Sequence, residues 1–321
     1  MELAQLNDII KSSKNILITS HINPDGDTLG AMCGLYSLIE NNFKKKSDML
    51  LVSKLPKIYE FVPNIKQAKQ LEEFDKSREY DLVINVDVAA IDRICNAQIL
   101  FNKAKKTVNI DHHKTNIGYA DLNFIEEDSS SASEVLYGIA KDLNWKIDLN
   151  SAKCLYTGIL TDTGSFRFNN TTPRALRFAA ELIELGVSPD EMFKLCYENR
   201  PKNMILFQTY CVNKAIFTDD DKIAYTTVYK KDMEKFAAEE DYTDGLTEKL
   251  RAIVSTKVAF VAKEMNNGWT KISMRSKYID IAEICEKFGG GGHKLASGCT
   301  IKCGVEEAIN KVLEEIRKHQ L

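Results

Sequence analysis

Short apolar runs alternate with longer stretches of helical periodicity through the first half of the chain. Asn15-Ile-Leu-Ile-Thr-Ser20, Asp81-Leu-Val-Ile-Asn-Val86 and Thr107-Val-Asn-Ile110 are compact and rich in β-branched residues, so each predicts a buried strand. Between and after them, Thr28 to Ile39 is apolar at helical spacing, and Ser131 followed by Glu134 has the capping-box spacing that opens a helix through Ala140. Ala152 to Leu160 predicts a further buried helix. Pro173 stands where a first helical turn begins and Gly186 where that helix stops. Such alternation of strand and helix predicts an α/β domain built on a parallel sheet.

The rest of the chain predicts a smaller α/β domain. Ile223 to Tyr229, Lys257 to Ala262 and Trp269 to Arg275 have strand patterns; Ile279 to Phe288 has a helical one, ended by Gly289-Gly-Gly-Gly-His293; a last helix runs from Val305 to Lys318. Ser188-Pro-Asp-Glu191 caps a helix that leads out of the first domain. The expected division is therefore residues 1–187, a helical linker over 188–203, and residues 204–321.

Composition narrows the class. A chain of 321 residues with 44% hydrophobic and 28% charged residues suits a soluble two-domain protein, and no stretch of about eighteen apolar residues predicts a membrane span. The first residues carry no basic and apolar leader pattern, and the eight cysteines form no C-x-x-C pair. Reduced, mostly buried thiols and a cytoplasmic location are the expectation. A net charge of −3 argues against a grip on long duplex nucleic acid, which relies on neutralising many phosphates. Lys44-Lys45-Lys46 is explained by a solvated helix end. A homodimer is compatible with the chain, though no residue demands one.

Chemistry gathers where the predicted strands end. His21-Ile-Asn-Pro-Asp25-Gly-Asp27, Asp87, and Asp111-His112-His113 each follow a strand, and strand C-termini share one edge of a parallel sheet. Asp162 follows the Ala152–Leu160 helix. Turns favour Asp, Asn, Gly and Pro in any protein, but that does not place four of the five histidines in such loops. Mixed carboxylate and imidazole without cysteine suits Mn²⁺, with Mg²⁺ or Co²⁺ as substitutes. Two ions about 3.5–4 Å apart need about six protein ligands, and His21, Asp25, Asp27, Asp87, His112 and Asp162 are the candidates. Asp111 and His113 are then left for the substrate phosphate or for orienting a ligand. Arg93 reads as structural or as a support to the ligands, and Arg167 either as a phosphate contact or as a packed surface residue.

These segments resemble the four motifs of the DHH phosphoesterases, and Gly289-Gly-Gly-Gly-His293-Lys-Leu-Ala-Ser-Gly298 resembles the signature of the DHH-associated C-terminal domain. The resemblance runs from about residue 14 to about 303. It implies a parallel-sheet catalytic domain and a smaller substrate-binding domain with the active site in the cleft between them. It also implies one Mn²⁺ on His21, Asp25 and Asp87, a second on Asp27, Asp87, His112 and Asp162, and His113 on the scissile phosphate. Arg275, Ser276, Gly290, Gly291, Gly292 and His293 would hold the nucleotide. Independently, consecutive glycines can offer backbone N–H groups to an anion, although a glycine run after a helix is also an ordinary flexible loop.

Within the family the compact architecture is similar to the bacterial nanoRNases. That implies hydrolysis of short oligoribonucleotides to mononucleotides, with 3′-phosphoadenosine 5′-phosphate as a second substrate. Hydrolysis of linear or cyclic dinucleotides is the alternative within the same chemistry. A nucleotide-binding regulator without turnover is the non-enzymatic one, and the full ligand set speaks against it.

Overall fold

The computed structural model describes residues 2–74 and 77–319. The chain forms two compact units, one ending at Asn199 and the other starting at Arg200. In the first, six strands, β1 (Ile16–Thr19), β2 (Asp48–Leu51), β3 (Lys69–Gln70), β4 (Leu82–Val86), β5 (Lys106–Asp111) and β6 (Leu122–Ile125), form one sheet in the order β3-β2-β1-β4-β5-β6. Every pairing in it is parallel. The strand order reverses between β1 and β4, which opens a crevice at their C-terminal ends. The loops carrying His21 and Asp87 leave from those two strands.

Alternation along the strands feeds two apolar layers. Ile16, Ile18, Ile84 and Val108 pack on one face with α2 (Gly26–Phe43) and helices further along the chain, while Leu17, Leu50 and Val83 face the other side with Leu100 and Phe101. Those two residues lie on α3 (Gln98–Lys103), and α1 (Glu2–Ser12) contributes Leu6 and Ile10 to the first layer. The later helices are α4 (Ala132–Asp142), α5 (Leu149–Asp162), α6 (Pro173–Glu184) and α7 (Pro189–Phe193). Helix α2 is buried continuously from Gly26 to Ile39, as expected of a helix apolar on all sides. It crosses α5 closely: a Cβ on Gly30 would lie 2.5 Å from the Cys154 carbonyl oxygen. Helix α7 and the π turn after it bury Met192 and Cys196 in the same core.

The basic run at Lys44–Lys46 ends α2, as its sequence suggested. Lys44 is the left-handed C-cap, and the Lys45 ammonium donates to the carbonyls of Ile10, Lys11 and Ser13 at the end of α1. All eight cysteines are free, six of them buried. Among the described residues no helix is long and apolar enough to cross a membrane.

The second unit is a mixed sheet in the order β11-β12-β10-β9-β8-β7, made of β7 (Ile216–Thr218), β8 (Ile223–Val228), β9 (Val258–Glu264), β10 (Thr270–Ser276), β11 (Gly291–His293) and β12 (Ala296–Ile301). Only the β8–β9 pairing is parallel. Its helices are α8 (Lys202–Asn213), α9 (Lys230–Lys235), α10 (Leu246–Arg251), α11 (Ala282–Glu286) and α12 (Val305–Arg317), and α12 lays Val312 and Ile316 on Val258, Phe260 and Ile272. Two local expectations change here. The helix over 279–288 shortens to α11, because the Ser276 hydroxyl accepts the amides of Tyr278 and Ile279 and holds that stretch in a turn. The glycine run is not a loop throughout: Gly291 to His293 forms edge strand β11.

Candidate metal centre

The loop from β1 to α2 is shaped by Asp25 as N-cap. Its Oδ1 accepts the amides of Asp27 and Thr28, both at 3.0 Å, which satisfies two of the orphan donors of α2. Gly26 is thus already helical, and Asp27 sits in the first turn. The Thr28 hydroxyl lies 2.7 Å from His21 Nε2, 3.1 Å from Asp25 Oδ1 and 2.6 Å from Asp87 Oδ2. Thr28 was legible only as a helix start, yet it links three candidate ligands; its place three residues after an N-cap aspartate is the signal that marks it. His21 Nδ1 is 2.7 Å from the Ile22 carbonyl. A proton donated there leaves the Nε2 lone pair facing Asp87. Arg93 braces this loop, its carbonyl accepting the Ile22 amide at 2.9 Å and its guanidinium lying 3.3 Å from the His21 ring.

Asp87 follows β4 in the left-handed backbone region, with φ of 58°. That conformation turns its carboxylate into the crevice, where it is 2% exposed. Its Oδ2 is 3.3 Å from His21 Nε2; its Oδ1 is 3.5 Å from His112 Nε2 and 3.6 Å from His113 Nδ1. Asp162, the last residue of α5, comes within 3.4 Å of His112 Nε2. Asp27 is fully buried and meets the N-terminus of α4, its two oxygens accepting the amides of Ala132 (2.6 Å) and Ser133 (2.9 Å). Behind His113, Asp111 Oδ1 lies 2.7 Å from His113 Nδ1, with Asp111 fully buried.

The candidate ligands meet in three groups whose donor atoms lie within 4.8 Å of one another: His21, Asp25 and Asp87; Asp27, His112 and Asp162; and Asp87, Asp111, His112 and His113. Asp87 and His112 each belong to two of them. The residues fit divalent cations, and the clearest sign is Asp87 Oδ1, which is buried with no hydrogen-bond partner among the described residues. A hard cation with mixed oxygen and nitrogen ligands would satisfy it.

Charge crowding points the same way. Burial, with the charges of Asp87 and Asp25, pushes Asp27 up to about 7. Burial and the charges of Asp27 and Asp25 hold Asp162 well above the usual carboxylate range. Burial opposes ionisation of Asp87, but His112 and His21 outweigh it and hold that carboxyl well below its usual value. Burial also opposes the charged imidazoles of His21 and His112, yet Asp87 and the other carboxylates raise both.

A stability signature results. Groups raised above their unfolded values bind protons more tightly in the folded chain, so stability falls as pH rises through their folded values. For cation-free protein the window runs from about pH 4 to above 7, since Asp27, Asp162, His21 and His112 all act in that direction; Asp87 opposes them only below its usual value. Asp244, pushed up to about 6 mainly by burial, adds the same slope with or without cations. The expected result is a Tm in chelator that drops between pH 5 and pH 8, and a drop that shrinks or reverses with saturating Mn²⁺. Identical pH profiles in the two conditions would refute the charge crowding.

In the second unit, β10, β12 and β11 place Arg275 and His293 on either side of Ala296 in register. They share one level of the sheet about 10 Å apart, two strand spacings. Arg275 Nε is 2.7 Å from Glu248 Oε1, and Ser276 is buried. Two of the four glycine amides in the run are engaged within the fold. The Gly289 and Gly290 amides donate to Glu286 and Cys285 at the end of α11, and a Cβ on Gly290 would lie 2.2 Å from the Gly298 carbonyl oxygen. Close strand packing therefore requires Gly290. Arg167 donates Nε to the Gly164 carbonyl within its own loop.

Comparison with known proteins agrees with this arrangement. Residues 15–159 match the DHH family, N-terminal domain, and residues 220–319 match the DHHA1 domain. The chain is 30% identical over 291 residues to the bifunctional oligoribonuclease and PAP phosphatase NrnA of Bacillus subtilis, covering 89% of each protein. It is also 30% identical to the NrnA of Mycoplasma genitalium, over 96% of this chain and 95% of that one. An exopolyphosphatase-related protein from Bacteroides fragilis, 23% identical, has the same fold with a TM-score of 0.93, over 99% of this chain and 96% of that one. With both domain matches in sequence order and relatives of that identity over nearly its whole length, the chain belongs to the DHH family.

Proposed function

We propose that this protein is a phosphoesterase that depends on divalent cations, Mn²⁺ first among them, and hydrolyses oligoribonucleotides of two to a few residues to mononucleotides. Removal of the 3′-phosphate from 3′-phosphoadenosine 5′-phosphate is its second activity. The observation that carries the reading is the meeting of three ligand groups linked through Asp87 and His112, each of which belongs to two of them, with Asp87 Oδ1 buried and accepting no hydrogen bond among the described residues. The substrate class is supported by what the relatives' names state they act on.

His21, Asp25 and Asp87 would hold one cation, and Asp27, Asp87, His112 and Asp162 the other. When bound, the pair supplies an activated water and a counter-charge for the phosphoryl oxygens. The chain's own side chains do the rest. Thr28 and the α4 N-terminus keep the carboxylates from swinging out. Asp111 orients the His113 imidazole, which would meet a non-bridging phosphate oxygen as its charge grows. Arg275 and His293, level on their sheet, suit a terminal phosphate or base of a small substrate, with the β11 backbone beside them.

The test is hydrolysis by metal-stripped protein with Mn²⁺ restored, run in parallel on an RNA dinucleotide, a 24-mer RNA, 3′-phosphoadenosine 5′-phosphate and cyclic di-AMP. The dinucleotide is expected to turn over at least about 10²-fold faster than the 24-mer, within the range that differential binding supplies. Preference for cyclic di-AMP would replace the substrate assignment. No cation-dependent turnover of any of the four would overturn the enzymatic reading.

A further inference from the structure

Asn116 uses both protons of its side-chain amide and one acceptor site of its oxygen to join two loops that carry candidate ligands. Its Nδ2 donates to Asp111 Oδ2 at 2.6 Å and to the Val88 carbonyl at 3.2 Å. Its Oδ1 accepts the Gly118 amide at 2.9 Å, and its own amide donates to the His113 carbonyl at 3.1 Å. Asp111 Oδ1 faces His113 Nδ1, so Asn116 occupies the second oxygen of the carboxylate that orients that imidazole. The Val88 carbonyl is itself a hub, accepting also from Asn109 Nδ2 at 3.3 Å and from the Tyr119 hydroxyl at 3.0 Å. It belongs to the residue after Asp87, whose left-handed backbone sets the direction of the shared carboxylate. One amide group thus spans the loops that end β4 and β5.

We infer that Asn116 is a positioning residue: through Asp111 it fixes the His113 imidazole, and through Val88 it fixes the Asp87 loop against it. The inference rests on the functional reading above, in which His113 meets the scissile phosphate. An amide is required here because the position must donate twice and accept once. A carboxylate of the same shape could still accept from Gly118 but would face Asp111 with no proton to give. The imidazole would then lose its fixed plane, while the first-turn and helix-end ligands would stay in place.

Asn116→Asp is the sharpest probe because it keeps side-chain volume, and Asn116→Ala is its companion. Two measurements bear on the inference. In full-length protein with Mg²⁺, histidine-ring ¹⁵N NMR is expected to show a protected Nδ1–H signal for His113, assigned by its loss in His113→Gln. That signal should vanish in Asn116→Asp and in Asn116→Ala while Tm stays within a few degrees. In steady-state kinetics on an RNA dinucleotide, Asn116→Asp is expected to lower kcat about tenfold with KM nearly unchanged, and to have almost no effect when added to His113→Ala.

An unchanged His113 signal in both variants would overturn the inference. So would an equal loss of kcat with and without His113. A wild-type protein that hydrolysed none of the phosphoesters would overturn the functional reading instead, and the imidazole signal would still decide the role of Asn116.

Discussion

Replacing Asp87 by asparagine is expected to reduce phosphodiester hydrolysis by about 10³-fold or more, the scale on which single indispensable groups fail in other hydrolases. Asparagine tolerates the left-handed backbone of this position, whereas alanine there costs about 1–2 kcal/mol and would confuse folding with function. The amide keeps the shape and can still accept from the Thr28 hydroxyl. It loses the charge that lies between His21 on one side and His112 on the other. Cation affinity, read by titration calorimetry on chelator-treated protein, should fall with the activity. Turnover within tenfold of wild type would show that Asp87 is not the shared ligand.

Gly158→Ala is expected to damage both the fold and the centre from a position that carries no ligand. A Cβ there would lie 2.0 Å from Ser133 Oγ and 2.4 Å from Asp27 Oδ1. The serine hydroxyl can rotate away, although Ser133 Cβ stays 2.6 Å from the same point. Asp27 cannot, because both of its oxygens hold amides at the start of α4. Overpacking of this kind costs about 1–3 kcal/mol, and displacement of Asp27 should lower cation affinity at least about tenfold, roughly 1.4 kcal/mol. Chemical denaturation and calorimetry separate the two losses. Adding Ser133→Gly should recover part of the stability and little of the cation affinity; full recovery of both would mean that Asp27 is not the constraint.

The alternation of apolar runs and helical stretches was enough to predict a parallel α/β first domain, and β1, β4 and β5 lie within a residue or so of where their patterns put them. Short strands with ambiguous patterns escaped. Strand β11 is largely glycine, which suppresses every strand signal, and its existence depends on Gly290 approaching β12 more closely than a side chain allows. The 279–288 segment has helical periodicity, but a hydroxyl at Ser276 captures two of its amides, a local competition that periodicity does not register.

At the site, every candidate ligand named from the sequence lies in one of the three groups. They were legible because histidines fall among the aspartates of these turns, a combination that turn preference alone does not place there. The supports were not. Thr28, Asn116 and Gly158 are of residue types common in helix starts, loops and helix seams, and each acquires part of its role from partners distant in the chain. Asn116 lies 28 residues from the Val88 carbonyl it holds.

Asp27 takes its backbone partners from a helix 105 and 106 residues further on, and the last candidate ligand is Asp162. During synthesis, then, a nascent chain that has already made His21 must extend for roughly ten to thirty seconds before the set can close. Until then its carboxylates emerge from the ribosome one loop at a time, next to strands that have no neighbour yet on the β4 side. Loop closure over such a span is slow relative to local helix formation, which makes assembly of the centre a late event in the birth of the first unit. Truncated translation products ending before α5 would carry most of the motif and none of the finished geometry.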